Sequence, residues 1–138
     1  MNLSTPVRFV MTRDVVVADV TDPPSRLRSL FDQRRFHHLP VVRGDVIVGI
    51  LSASDLARAA LDGWVDRATA DAHLDEAFTV ESLMTFEPEV VREDDTIGVA
   101  ADKLASGEFH ALPVVDGRGH VVGMVTSTDL IRFLLASR

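Results

Sequence analysis

Two short stretches carry the residue types that could hold a small ligand: Gly49-Ile50-Leu51-Ser52-Ala53-Ser54-Asp55 and Gly123-Met124-Val125-Thr126-Ser127-Thr128-Asp129. In each, an apolar run that reads as a strand passes straight into a helix start, where unpaired N–H groups and the positive dipole end favour an anion. The hydroxyl of Ser52 or Thr126 adds a donor suited to a phosphate. Asp55 and Asp129, three residues further on, are acceptor-only when ionised, so beside a ribose each can receive both hydroxyl protons. The same residues also make ordinary helix caps that need no ligand. Spacing alone leaves both readings open.

These stretches belong to a longer duplication. Sliding the chain by 73 positions lays Met11–Val42 over Met84–Val115 without a gap, and 10 of the 32 pairs are identical. Chance would give about two, at roughly one match in seventeen for average composition. The identities include Met11-Thr12 on Met84-Thr85, Phe36-His37 on Phe109-His110, and Leu39-Pro40-Val41-Val42 on Leu112-Pro113-Val114-Val115. One inserted turn residue later, Val48-Gly49 meets Val122-Gly123, Asp55-Leu56 meets Asp129-Leu130, and Arg58 meets Arg132.

Each copy reads as β-α-β-β-α. The β-branched runs Val15-Val16-Val17 and Val90-Val91 predict a first strand. Asp22-Pro23-Pro24 and Asp95-Thr96 predict helix starts, followed by apolar residues at spacings of three and four. Arg43-Gly44-Asp45 and Asp116-Gly117-Arg118-Gly119 predict hairpin turns, and last helices begin near Ser54-Asp55 and Thr128-Asp129. The organisation expected is a first domain over 7–61, a connector over 62–79 and a second domain over 80–136. Within the connector, Thr69–Phe78 reads as a helix with Thr69 as its cap, and Trp64 as a packing residue.

Composition narrows the functions available. The 138 residues allow one ordinary domain or two small ones sharing a core. A formal net charge of −7 repels a phosphate backbone, so nucleic acid is not an expected partner. The absence of cysteine removes disulfides, thiolate metal sites and cysteine nucleophiles. No stretch approaches the roughly 18 apolar residues of a membrane helix, and the start lacks the apolar core of a signal peptide. A cytoplasmic protein that does not engage the membrane is the expectation. No nucleophile elbow, zinc-protease helix or phosphate-loop lysine motif occurs, so catalytic residues and a catalytic cofactor are not expected. His37, His38 and His110 do not suggest a metal, because neighbours on a strand point to opposite faces and no third ligand has suitable spacing.

Met-Thr, a valine strand, a helix, Phe-His-x-Leu-Pro-Val-Val, a glycine turn and Gly-x-x-[Ser/Thr]-x-x-Asp-Leu, in this order and twice over, resemble the CBS domain, named for cystathionine β-synthase. Two copies resemble the usual CBS pair, over about Val7 to Leu135. The resemblance implies an α/β (α+β) fold of two tandem β-α-β-β-α repeats related by a pseudo-twofold. It further implies a regulatory module that binds AMP, ADP, ATP or S-adenosylmethionine in clefts between the repeats. By that resemblance Asp55 and Asp129 would take ribose, and Ser52 and Thr126 phosphate. Thr12, Val15, Val16, Val17, Thr85, Val90 and Val91 would line the adenine slot, with Leu39-Pro40 and Leu112-Pro113 closing it. Arg34, Arg35, Arg43, Arg58, Arg118, His120 and Arg132 are candidates for further phosphate charge. Pro88 and Glu89 replace Val15 and Val16 in the second copy, which puts equal affinity of the two sites in question. The last helices, Leu56–Leu61 and Leu130–Leu135, are apolar almost all round and predict a homodimer, with an effector protein as the further partner. A structural dimerisation module with degenerate clefts is the competing reading.

Overall fold

The computed structural model of the chain describes residues 2–33, 37–60 and 66–137. Arg34, Arg35, Phe36, Leu61 and Trp64 lie outside them. The chain forms two compact units, one of residues 16–88 and one of residues 1–15 with 89–138.

In the unit of residues 16–88, the elements run β1 (Ala18–Asp19), α1 (Pro24–Gln33), β2 (His38–Arg43), β3 (Val46–Ser52), α2 (Ala53–Ala59), α3 (Arg67–Ala77), α4 (Val80–Leu83) and β4 (Thr85–Phe86). Its sheet has the order β1-β2-β3-β4, with β1 parallel to β2 and the other pairings antiparallel. β2 and β3 are joined through Gly44, whose φ of +63° is a left-handed conformation that glycine adopts without strain. Leu27, Leu39, Val41, Leu51, Leu56, Leu74, Val80 and Met84 form the core.

The other unit opens with a 3-10 turn at Val7–Phe9 and continues with β5 (Val91–Arg92), α5 (Ile97–Ala105), β6 (Ala111–Val115), β7 (Val121–Thr126) and α6 (Ser127–Ala136). Its sheet runs β5-β6-β7. Thr12 bridges Met124 on β7 in the antiparallel sense, with N–H to carbonyl distances of 2.8 and 2.9 Å. Thr12 therefore sits against β7 as Thr85 sits against β3. The repeat extends to irregularities: β2 and β6 each shift register between their two consecutive valines, Val41/Val42 and Val114/Val115.

The matched Met-Thr and glycine pairs now have a physical cause. A Cβ placed on Gly123 would lie 2.6 Å from Met11 Sδ and 2.9 Å from the Thr12 carbonyl oxygen, and one on Gly49 would lie 2.9 Å from Met84 Cγ and 3.0 Å from the Thr85 carbonyl oxygen. Each glycine is the floor on which the Met-Thr segment of the other repeat lies. Gly123→Ala is expected to cost about 1–3 kcal/mol, because the backbone oxygen cannot move aside as the methionine tip can. Urea denaturation of the variant checks this, and an unchanged midpoint would contradict it.

Three local expectations are corrected. The first strand is Ala18–Asp19, paired with Val41 and Val42, while Val15, Val16 and Val17 stand half-buried ahead of it. In the second copy the strand likewise begins at Val91 rather than Val90. In both copies the chain turns just before these valines at a non-glycine residue with positive φ, Asp14 at 56° and Glu87 at 49°, and the turn delays entry into the ladder. The connector helix α3 is capped by Asp66, which accepts the Thr69 N–H at 2.9 Å, so Thr69 is donor rather than cap. That hydrogen bond is the main cause holding the Asp66 carboxyl below its usual pKa. Thr96 caps α5 as expected, accepting the Val99 N–H at 3.2 Å.

Candidate functional site

Each compact unit contains one strand-to-helix junction with its hydroxyl and carboxylate. In the unit of residues 16–88, β3 ends at Ser52, which caps α2 by accepting the Asp55 N–H at 3.1 Å. The carboxylate of Asp55 is ion-paired with Arg58, one turn further along the same helix. The Ser52 hydroxyl also lies 3.2 Å from that of Ser54.

In the other unit, β7 ends at Thr126, whose hydroxyl accepts the Asp129 N–H at 3.1 Å while Asp129 Oδ2 accepts the Thr126 N–H at 3.0 Å. This reciprocal pair is a capping box. The Thr12 hydroxyl lies 3.3 and 3.4 Å from the two Asp129 oxygens. Among the described residues the Asp129 carboxylate is thus held by two donors, the Thr126 N–H and the Thr12 hydroxyl, where that of Asp55 has one cation, so the two carboxylates are not equivalent. Both are half-buried, and each keeps unused acceptor positions.

The backbone at the junctions is also duplicated. The Ala53 N–H donates to the His37 carbonyl at 2.8 Å, and the Ser127 N–H donates to the His110 carbonyl at 3.1 Å. These bonds hold each helix start against the end of the Phe-His segment. The matched histidines therefore have a main-chain duty at the junction. Among the described residues no group of three or more His, Cys, Asp or Glu could hold a metal ion.

The expected base-slot residues divide between the units. Thr85 pairs with Ile50 on β3, in the unit that holds Ser52, Asp55, Leu39, Pro40, Val16 and Val17. Thr12 pairs with Met124, in the unit that holds Val15, Val90, Val91, Leu112, Pro113, Thr126 and Asp129. Thr12 and Thr85 thus each stand on a strand of the opposite repeat. Sequence reading missed this exchange, and the repeated Val-Gly of β3 and β7 was its signal. Leu39 and Leu112 have no exposed surface and belong to their cores, as does Val91 at 1%. Val15, Val16, Val17 and Val90 are half-buried, and Pro40 and Pro113 are buried in their strands.

Of the cationic candidates, Arg43 pairs with Glu81 at 2.6 Å, Arg58 with Asp55, and His120 Nδ1 lies 4.0 Å from Asp116. Asp116 accepts the Arg118 and His120 N–H groups in the hairpin turn, and the Arg118 bond is the chief cause of its lowered carboxyl pKa. Arg132 is exposed on α6. No helix among the described residues is long and apolar enough to cross a membrane.

Compared with known proteins, the chain matches the CBS domain profile twice, over residues 7–62 and 80–136. It is similar to the CBS-pair protein CBSX2 of Arabidopsis thaliana, solved in complex with AMP, at 25% identity and a TM-score of 0.80, covering 96% of this chain and 98% of that one. It is similar to the CBS domain of a bacterial CNNM/CorC family Mg2+ transporter in complex with ATP, at 28% identity and a TM-score of 0.76, covering 96% and 89%. A homoserine O-acetyltransferase of Methanosphaerula palustris is 28% identical over 129 residues, 93% of this chain and 24% of that protein. The chain spans less than half the length of the curated relatives it matches first.

Proposed function

The chain belongs to the CBS domain family, whose profile covers both of its halves, and from that premise we propose that it is a regulatory module that binds an adenosine-type nucleotide and signals its presence to a partner protein. The observation that carries this reading is the duplicated junction: a strand ends on a hydroxyl at a helix start, with an aspartate three residues on, once in each unit. Similarity to proteins solved with AMP and with ATP supports an adenosine ligand. Ser52 and Thr126 serve phosphate, Asp55 and Asp129 serve ribose, and the half-buried valines ahead of β1 and β5 face the base. ADP and S-adenosylmethionine present the same adenosine moiety and belong to the same ligand class. The module regulates rather than catalyses, and acts in the cytoplasm. A rise in melting temperature on adding AMP or ATP tests the reading, because a ligand that binds the native state must stabilise it.

Assembly is the second element of the proposal. None of the residues of α6 is buried, and Ile131, Leu134 and Leu135 are 55%, 47% and 51% exposed. Three large apolar side chains on one terminal helix fit a face covered by a second copy. The chain is expected to sediment as a homodimer at micromolar concentration, and Leu134→Glu to weaken the dimer at least about tenfold, by placing a charge in the apolar contact. A wild-type monomer would refute this. A purely structural dimerisation module is the alternative, favoured by the closed capping box at Asp129, which is complete without a ligand.

A further inference from the structure

The second repeat departs from the first at two positions that lie together. In the first repeat Val16 and Leu30 both pack against the core of residues 16–88. Their counterparts at the offset of 73 are Glu89 and Lys103, so two apolar residues have been exchanged for two charged ones of opposite sign. Lys103 Nζ lies 2.6 Å from Glu89 Oε1 and donates to the Val90 carbonyl oxygen at 2.9 Å. Their side chains are 32% and 44% exposed, a setting in which an ion pair contributes only about 0–1 kcal/mol. Stability alone is a small return for replacing two apolar contacts. What the ammonium adds is a charge-assisted grip on one main-chain carbonyl, at the residue leading into β5. The chain has just left a positive-φ turn at Glu87 and passed Pro88, which has no N–H to donate, so the Lys103 contact supplies a main-chain anchor where proline cannot.

We propose that Lys103 is a positioning residue of the second repeat's ligand site: by holding Glu89 and the Val90 carbonyl it sets the backbone against which the base lies. The first repeat achieves the same with apolar packing. The inference rests on the adenosine-binding reading above, and makes the two sites different in kind. Binding at the second repeat depends on an ion pair and weakens with rising salt, whereas among the described residues the first repeat's base segment contains no such pair.

Titration calorimetry with AMP reads the second repeat alone in an Asp55→Ala background and the first alone in an Asp129→Ala background. Lys103→Leu is expected to weaken AMP about three- to tenfold in the former and to leave the latter unchanged. Glu89→Val with Lys103→Leu, which rebuilds the first repeat's pair, is expected to recover affinity to within about twofold and to lose the salt dependence. Equal affinity of Lys103→Leu and its parent at the second repeat, or a double variant no better than the single, would overturn the proposal. If the wild-type protein binds no AMP, the functional reading fails separately, and amide hydrogen exchange without ligand then decides the positioning role. Exchange at Val91 and Arg92 about tenfold faster in Lys103→Leu, and restored in the double variant, supports it. Unchanged exchange overturns it.

Discussion

Asp55→Ala is expected to weaken AMP binding at the first repeat about ten- to a hundredfold while leaving the unliganded protein nearly as stable as before. The binding loss follows from the chemistry of a carboxylate accepting ribose hydroxyls, since hydrogen bonds to a charged group contribute roughly 1.5–3 kcal/mol each. The small stability change follows from the geometry. α2 is capped by the Ser52 hydroxyl, which the substitution leaves in place, and among the described residues the carboxylate itself holds only the exposed guanidinium of Arg58. Asp129→Ala should weaken the second site to the same extent, yet also lower stability by about 0.5–2 kcal/mol. Its carboxylate closes the capping box of α6 and accepts from Thr12. Calorimetric titration beside urea denaturation separates the two roles. Normal binding in both variants, with reduced stability only in Asp129→Ala, would leave Asp129 a helix cap and Asp55 the partner of an exposed ion pair.

The second large effect is on folding. A fragment ending at Gly63 is expected not to fold, although it contains the whole of the first sequence repeat. Its unit also draws Leu74 and Val80, which are 1% and 0% exposed, and Met84 at 7% from beyond that point, together with β4 on the open edge of β3. Removing three buried side chains and an edge strand from so small a core leaves too little apolar burial to offset chain entropy. Circular dichroism and denaturant titration of residues 2–63 beside the full chain test this. An isolated half with full-length stability would contradict the strand exchange.

What the sequence could and could not disclose divides along the range of the interactions. The hairpin around Gly44, the cap at Thr96 and the strand-to-helix junctions at Ser52 and Thr126 depend on neighbours within a few residues. They are legible from residue type and spacing. The placement of Val15, Val16 and Val17 outside the ladder depends on the positive-φ turn at Asp14, and aspartate at that position does not announce one as glycine would. The bridge of Thr12 to Met124 spans more than a hundred residues, and local periodicity has no access to it. Only the pairing of a conspicuous Met-Thr with a glycine in the receiving strand hints at it, and that hint becomes readable once Met11 is seen against Gly123. The candidate site shows the same division. Its hydroxyls and carboxylates are visible in the chain, as is the i,i+3 spacing of Asp55 and Arg58, whereas the inequivalence of Asp55 and Asp129 also needs Thr12, which reaches Asp129 across 117 residues.

The central claim is that this chain binds an adenosine nucleotide, and thermal unfolding with increasing AMP or ATP tests it most directly. Ligand at a hundred times its dissociation constant should stabilise the native state by about 2.7 kcal/mol, enough to raise the melting temperature of a chain this size by several degrees. The account predicts a rise that saturates with concentration and is smaller in Asp55→Ala and in Asp129→Ala. A melting temperature that stays constant up to millimolar AMP and ATP would contradict it and leave assembly as the chain's only proposed activity.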